Sequence, residues 1–383
     1  MKTKNSLNTD LTRRSWMVLA TSALAGCGGG GGGSVTASLP GTGGTGVYQG
    51  SISGFGSVII NGVTYDNSQA TMRIDGAVVS QDLLRLGMVA TVQASREAGA
   101  TVGTASNIDV WTIAQGLASD VGANQFKVAG MTILTSASTW FYGVLDSAPF
   151  ANGQYVSVWG LQADEEGERW TASCVVVSTS STEVVSSGLV KVDDSRTTLN
   201  GLRLTGAVAS SLPDEVLMRV QGNWASDGSM NVVSAKAIDN ALDTQAQGEV
   251  EIEGVVTTAP SASGFMLGGI SVQATPSMFS PSGAQIVVGS RVEVYGAWQG
   301  GVLKASKVEL EEASTHGTVE IKATLQEFQN LGNFAMQGQR CDATGVALDP
   351  KTTAALSKAG AIFKVKGVKN GDWLKVLEMK LSD

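Results

Sequence analysis

The sequence predicts an all-β protein: a tandem array of five small closed barrels behind an export segment and a glycine-rich linker. Three observations predict it. Glycine supplies 48 of 383 residues while 43% are apolar and 16% charged, so turn-forming residues and core material are both plentiful. Short strand patterns bounded by small residues return five times in one order. A glycine run without apolar periodicity separates them from the N-terminus. A net charge of −8 with a pI near 4.9 argues against a nucleic-acid partner, because a polyanion is repelled. One histidine and three cysteines exclude most metal-centre and triad chemistry, and no cofactor or metal is expected.

Residues 1–26 read as an export signal. Lys2, Lys4, Arg13 and Arg14 form a positive start, followed by an apolar run from Trp16 to Ala25. The run is about half the roughly 20 residues a membrane span needs, so it is a signal core and not an anchor helix. It closes on Leu24-Ala25-Gly26-Cys27, which resembles the lipobox of bacterial lipoproteins. Small residues before the scissile bond fit a peptidase cleft, and the thiol of Cys27 takes lipid through a thioether. Thr12-Arg13-Arg14-Ser15-Trp16-Met17 is similar to a twin-arginine signal, and the same pair reads equally as ordinary signal charge. Gly28 follows the cysteine where an aspartate would resemble an inner-membrane retention signal, so an outer-membrane destination is expected. Acyl chains contribute about 0.8 kcal/mol per buried methylene, enough in a multiply acylated cysteine for a lasting tether. Cleavage before Cys27 removes four cations and Asp10, leaving a charge of about −11. Residues 27–46, with six consecutive glycines at 28–33, read as a flexible spacer.

The folded part is expected to divide into repeats at 47–112, 113–183, 184–243, 244–312 and 313–383. Each opens a hairpin on a pair whose second member is glycine: Asn61-Gly62, Ala129-Gly130, Asn200-Gly201, Gly268-Gly269 and Gln337-Gly338. A tight primed turn needs positive φ there. Three residues on stand Tyr65, Ile133, Leu204, Val272 and Cys341, all apolar and expected inside. Next comes a strand bounded by small residues, as in Gly153-Gln154-Tyr155-Val156-Ser157-Val158-Trp159-Gly160. Its closing positions Ala94, Gly160, Gly222, Gly296 and Gly367 recur every 62–74 residues. Glycines fixed in strands suggest bulges where a small sheet curls. A last strand carries Ala105/Ile108, Ala172/Val175, Ala235/Ile238, Ala305/Val308 and Val376/Met379 in one phase. The last two repeats also share an opening strand, Val250-Glu251-Ile252-Glu253 and Val319-Glu320-Ile321-Lys322.

Between hairpin and second strand lies a short stretch holding most prolines. Asp349-Pro350-Lys351 reads as a helix start, and Ser80 with Gly87 as a cap pair. Five strands with one helical turn in about 70 residues is the pattern of an OB-like Greek-key barrel. A unit this small buries only about 60% of its unfolded surface, so neighbours are expected to pack end to end as a one-dimensional array with one long surface and no deep pocket.

These motifs, in series over about residues 47–383, resemble the bacterial family known as domain of unknown function 5666. The resemblance implies an exported, often lipid-anchored protein and no particular activity. Glu215, Ala94 and Ala323 depart from its glycine positions.

Few residues invite chemistry. His316 stands where the previous repeat has Gln247, which marks a surface position and not a catalytic one. Cys341 occupies the inward hairpin position, and Cys174, aligned with Asn107 and Lys307, is expected to be partly exposed and three repeats away from it, so no disulfide is expected. The acidic run Asp164-Glu165-Glu166-Gly167-Glu168 lacks the alternating ligands of a calcium loop and reads as a solvated hairpin tip. The aromatics remain: Trp140-Phe141-Tyr142 after the second hairpin, and Trp224 and Trp298 two residues past a closing glycine, in the expected loop before the last strand. They read either as plugs between barrels or as stacking platforms for sugar rings. The expected function is therefore non-enzymatic: a membrane-tethered envelope protein of structural, adhesive or protein-binding role, or alternatively a carbohydrate-binding module using those rings.

Overall fold

The computed structural model describes residues 44–383 apart from 98, 145–149, 179–181, 194–195, 239–241, 243–247, 312–317 and 383. Leu24, Ala25, Gly26, Cys27, the rest of the signal, most of the linker, Pro149 and His316 lie outside the described residues.

The hairpins form as the turn chemistry requires. Both central residues of all five have positive φ, from Asn61 at 50° and Gly62 at 70° to Gln337 at 51° and Gly338 at 71°. Tyr65, Ile133, Leu204, Val272 and Cys341 are all buried behind them. In the first repeat the strand Gly44–Phe55 lies antiparallel to Val58–Ile60 and to Val89–Arg96. Val58–Ile60 turns into Val63–Asp66, which runs parallel to Val102–Val110, and that strand closes the ring against Val89–Arg96. This circuit, with its single parallel pair, is the OB-like barrel order. It recurs along the chain. The second and fourth repeats complete it through single bridges, Ser119 with Lys127 and Val256 with Leu267. The third and fifth complete it with strand pairs, the fifth through Gln326–Asn330.

The expected bulges are present. Pairing slips at Gln93/Ala94, Trp159/Gly160, Gln221/Gly222, Tyr295/Gly296 and Lys366/Gly367. A Cβ at Gly160, Gly222 or Gly296 would stand 2.2, 2.1 or 2.2 Å from a carbonyl oxygen of the next strand, which explains the preference for glycine there. The short crossover is a helix, Pro350–Ala355, in the last repeat, where the Asp349 side chain accepts from Thr352 N. In the first, third and fourth repeats it shrinks to single 3₁₀ turns, and the Ser80 side chain makes no cap hydrogen bond, against expectation. The third repeat also departs from its pattern: Ile238 is 37% exposed and falls just past the last strand, Met230–Ala237.

Two further expectations are corrected. The spacer does not reach residue 46, because Gly44, Thr45 and Gly46 already pair with Arg96, Ser95 and Ala94. The barrels also do not stack in a line. Residues 41–383 form one compact unit, with the first strand at its hub. At Val47-Tyr48-Gln49 that strand gives one edge to its own barrel and the other, in parallel, to Val250, Glu251 and Ile252 of the fourth. At Gly54 and Phe55 it pairs with Ile59 on one edge and takes Glu320 and Ile321 of the fifth on the other. A strand edge left unpaired is a row of unsatisfied donors and acceptors, and here neighbouring barrels fill it. Gly54 permits the approach: a Cβ there would lie 2.5 Å from the Glu320 carbonyl oxygen.

The cores follow this arrangement. One apolar cluster joins the first and fifth barrels and admits Trp140, Tyr142, Trp159 and Cys174 from the second. Another is shared by the second and third barrels, whose first strands touch at Gln115 and Val185. A third fills the fourth barrel and includes Val47 of the first. Arg219 of the third barrel reaches back to Asp75 of the first at 2.8 Å.

Candidate functional site

Where the first, second, fourth and fifth barrels meet they leave a cavity of about 950 Å³. The expectation of no deep pocket is thus overturned, and the cause is the parallel docking of the fourth and fifth barrels onto one strand. Its walls come from residues 51–53, Ile59, Asn61, Gly62 and Thr64 of the first barrel, Ser136, Ser138, Trp140 and Thr171-Ala172-Ser173 of the second, residues 289–291 and 309–311 with Glu253 and Glu293 of the fourth, and Thr318-Val319-Glu320 of the fifth. Hydroxyl, amide and carboxyl groups line it among apolar side chains such as Ile59, Trp140, Leu161 and Val255. Ligand sites favour such junctions between domains, and this volume falls within their usual range.

The acidic character follows from strand alternation. With Val250, Ile252, Val292, Val294 and Val308 buried in the fourth barrel, Glu251, Glu253, Glu293, Tyr295 and Glu309 must face outward. Register then places Glu253, Glu293 and Glu309 directly opposite one another on three adjacent strands. Like charges so placed repel. Arg291 pairs with Glu253, and Lys307 with Glu309, while Ser51 N donates to Glu253 Oε2 at 2.7 Å. Glu293, in the middle and 5% exposed, has no such cation among the described residues, and its Oε1 has no hydrogen-bond partner.

Burial first, and then the adjoining carboxyl of Glu251, push Glu293 up to about 10, so it is a neutral acid at ordinary pH. Glu251 is fully buried, and its Oε1 likewise lacks a conventional donor; a proton held on Glu293 supplies one. Its Oε2 accepts from Arg96 Nη2 at 2.8 Å, and the same nitrogen reaches Glu249 Oε1 at 2.9 Å. The guanidinium carbon sits 4.5 Å from the centre of the Tyr48 ring. Glu311 is pushed up by burial and by the neighbouring Glu253. Glu320 is matched by Lys364 and Lys366.

The residues singled out by sequence fall in different places. Trp140 and Tyr142 are buried at the seam between the second barrel and its neighbours: Tyr142 Oη donates to Leu86 O at 3.5 Å, and Lys369 Nζ lies 5.1 Å from the Trp140 ring centre. Phe141 is half-buried, its ring 5.6 Å from that of Phe150. Trp224 and Trp298 stand within strands, not in the expected loop; Trp224 ends Leu217–Trp224 and is 37% exposed, and Trp298 packs on the fourth core. Cys174, expected to be partly exposed, is fully buried, and it shares the first cluster with Cys341; both are free thiols. The run 164–168 forms a hairpin tip closed by Glu168 N donating to Asp164 Oδ1 at 2.9 Å. Sequence reasoning missed the glutamate row. Its only trace was the alternation V-E-I-E and V-E-V, whose cross-strand register joins residues 253 and 293.

Two segments, 115–175 and 253–309, match the domain of unknown function DUF5666. They fall in the second and fourth barrels, and these two repeats resemble that family. A comparison with curated proteins returns no match.

Proposed function

We propose that this chain is an exported, lipid-anchored envelope protein that serves as a binding or adhesive scaffold and not as an enzyme. The tether is Cys27 within Leu24-Ala25-Gly26-Cys27, and the outer membrane is its destination. The observation that carries a binding role is the cavity walled by four barrels, three of them joined through one strand. Interlocked barrels resist deformation, which suits a body that must present a preformed surface to an envelope protein or polysaccharide. Crosslinking and pull-down from intact envelopes tests this: a reproducible envelope partner lost with Cys27→Ser is expected. A Cys27→Ser protein that still fractionates with the membrane would refute the tether.

The second reading is carbohydrate binding, now through the cavity and not through exposed rings. Its support is the lining, where Ser51, Ser53, Asn61, Thr64, Ser136 and Ser138 offer hydroxyl and amide partners beside carboxylates.

A further inference from the structure

The cavity has an uneven balance of charge. Its lining holds five carboxyl groups and a single cation, Arg291. Glu253, Glu309 and Glu320 are matched by Arg291, by Lys307 and by the Lys364/Lys366 pair. Among the described residues neither Glu293 nor Glu311 forms an ion pair of its own, although Arg291 on the neighbouring strand acts on Glu311 as well as on Glu253. Glu293 is more than nine-tenths buried, and apart from the proton it shares with Glu251 its Oε1 has no hydrogen-bond partner. Such a site is short of positive charge and retains a proton in its place. The opposite wall is rich in neutral hydroxyls, which suits a polyol and gives a bare metal ion little to bind.

We propose that the cavity binds an oligosaccharide carrying free amino groups, its ammonium seated between Glu293 and Glu311 and its hydroxyls on the serine-rich wall of the first and second barrels. This rests on the carbohydrate reading and narrows it to amino sugars. When the ammonium docks, Glu293 gives up its proton to solvent and becomes the counter-ion. Binding therefore releases a proton, a signature that an uncharged sugar lacks.

The test is titration calorimetry on the full chain with a glucosamine tetramer bearing free amines and with its fully N-acetylated counterpart, in two buffers of different ionisation enthalpy. At about pH 6 the free-amine tetramer is expected to bind at least ~10-fold tighter and to release about one proton per ligand. Glu311→Gln should reduce that preference about tenfold, and Glu293→Gln should abolish the proton release. Equal binding of the two tetramers, with no proton released, overturns the amino-sugar inference while leaving carbohydrate binding standing. Failure of both tetramers to bind overturns the two together. Unchanged preference and proton release in both folded variants would place the site elsewhere and likewise overturn the inference.

Discussion

The shared proton at the junction of the first and fourth barrels makes stability depend on pH in a direction opposite to ordinary acid denaturation. A carboxyl raised in the folded chain from 4.5 to about 10 contributes stability that is complete below pH 4.5 and is lost as pH rises toward the folded value. Glu293→Gln isolates this effect. Glutamine keeps the shape of the protonated acid, offers a donor to Glu251 Oε1, and has no proton to lose. At about pH 7.5 the wild-type chain must hold a proton roughly three units above its free affinity, at about 1.4 kcal/mol per unit. The variant should then be more stable by up to about 4 kcal/mol, a ceiling that holds for any folded value above that pH. With roughly 2.1 cal/mol/K of unfolding entropy per residue over some 340 residues, this is a Tm increase of about 6 °C. Scanning calorimetry of both proteins between about pH 4.5 and 9 measures it, and the gap should vanish at the acidic end. A variant less stable than wild type at neutral pH, or a gap that stays flat with pH, would refute the reasoning.

Other substitutions separate the remaining contacts. Arg96→Met strands the fully buried Glu251 and should destabilise the chain by about 3–5 kcal/mol in urea titration, far more than loss of a surface ion pair. Trp140→Ala empties the seam beside Gly87 and should cost about 3–5 kcal/mol, whereas Trp224→Ala, at the exposed end of its strand, should stay below about 1 kcal/mol. Glu215 occupies a left-handed φ of 56° where Gly87, Gly153, Gly289 and Gly360 stand in the other repeats, so Glu215→Gly should raise stability by about 1 kcal/mol. Burial pushes the Cys341 thiol up to about 12 and Cys174 higher still, so native protein should resist maleimide and react at both sites once denatured.

What could be read from sequence was whatever a single repeat encodes within itself. Asn61-Gly62 and its counterparts signal their turns through backbone sterics, Gly160 and its counterparts their bulges, and Val156/Val158 their inward phase. Asp349-Pro350 marked its helix because capping is local. Relations between repeats were hidden for a physical reason. Nothing near Val47 states that Val250 will lie beside it, since edge pairing uses backbone groups common to every residue. Glycine at 46 and 54 removes an obstacle without naming a partner. Trp140 looked the same to sequence whether it faced solvent or a seam, and Cys174 and Cys341 seemed remote because distance was counted in repeats along a line. The glutamate row was lost with the line: Glu293 becomes unusual only once Glu251 is adjacent and the first barrel has covered both.

The position of the strand Gly44–Phe55 also sets the order of events during folding. It is synthesised before the other described strands, yet two of its edge partners, at Val250 and Glu320, appear some two hundred residues or more later. Loop closure across such separations is slow, so early barrels wait with that edge bare. A nascent or truncated chain ending before the fourth barrel should therefore recruit foreign strands, and aggregation ought to fall sharply once the fourth and fifth barrels have emerged to claim their places.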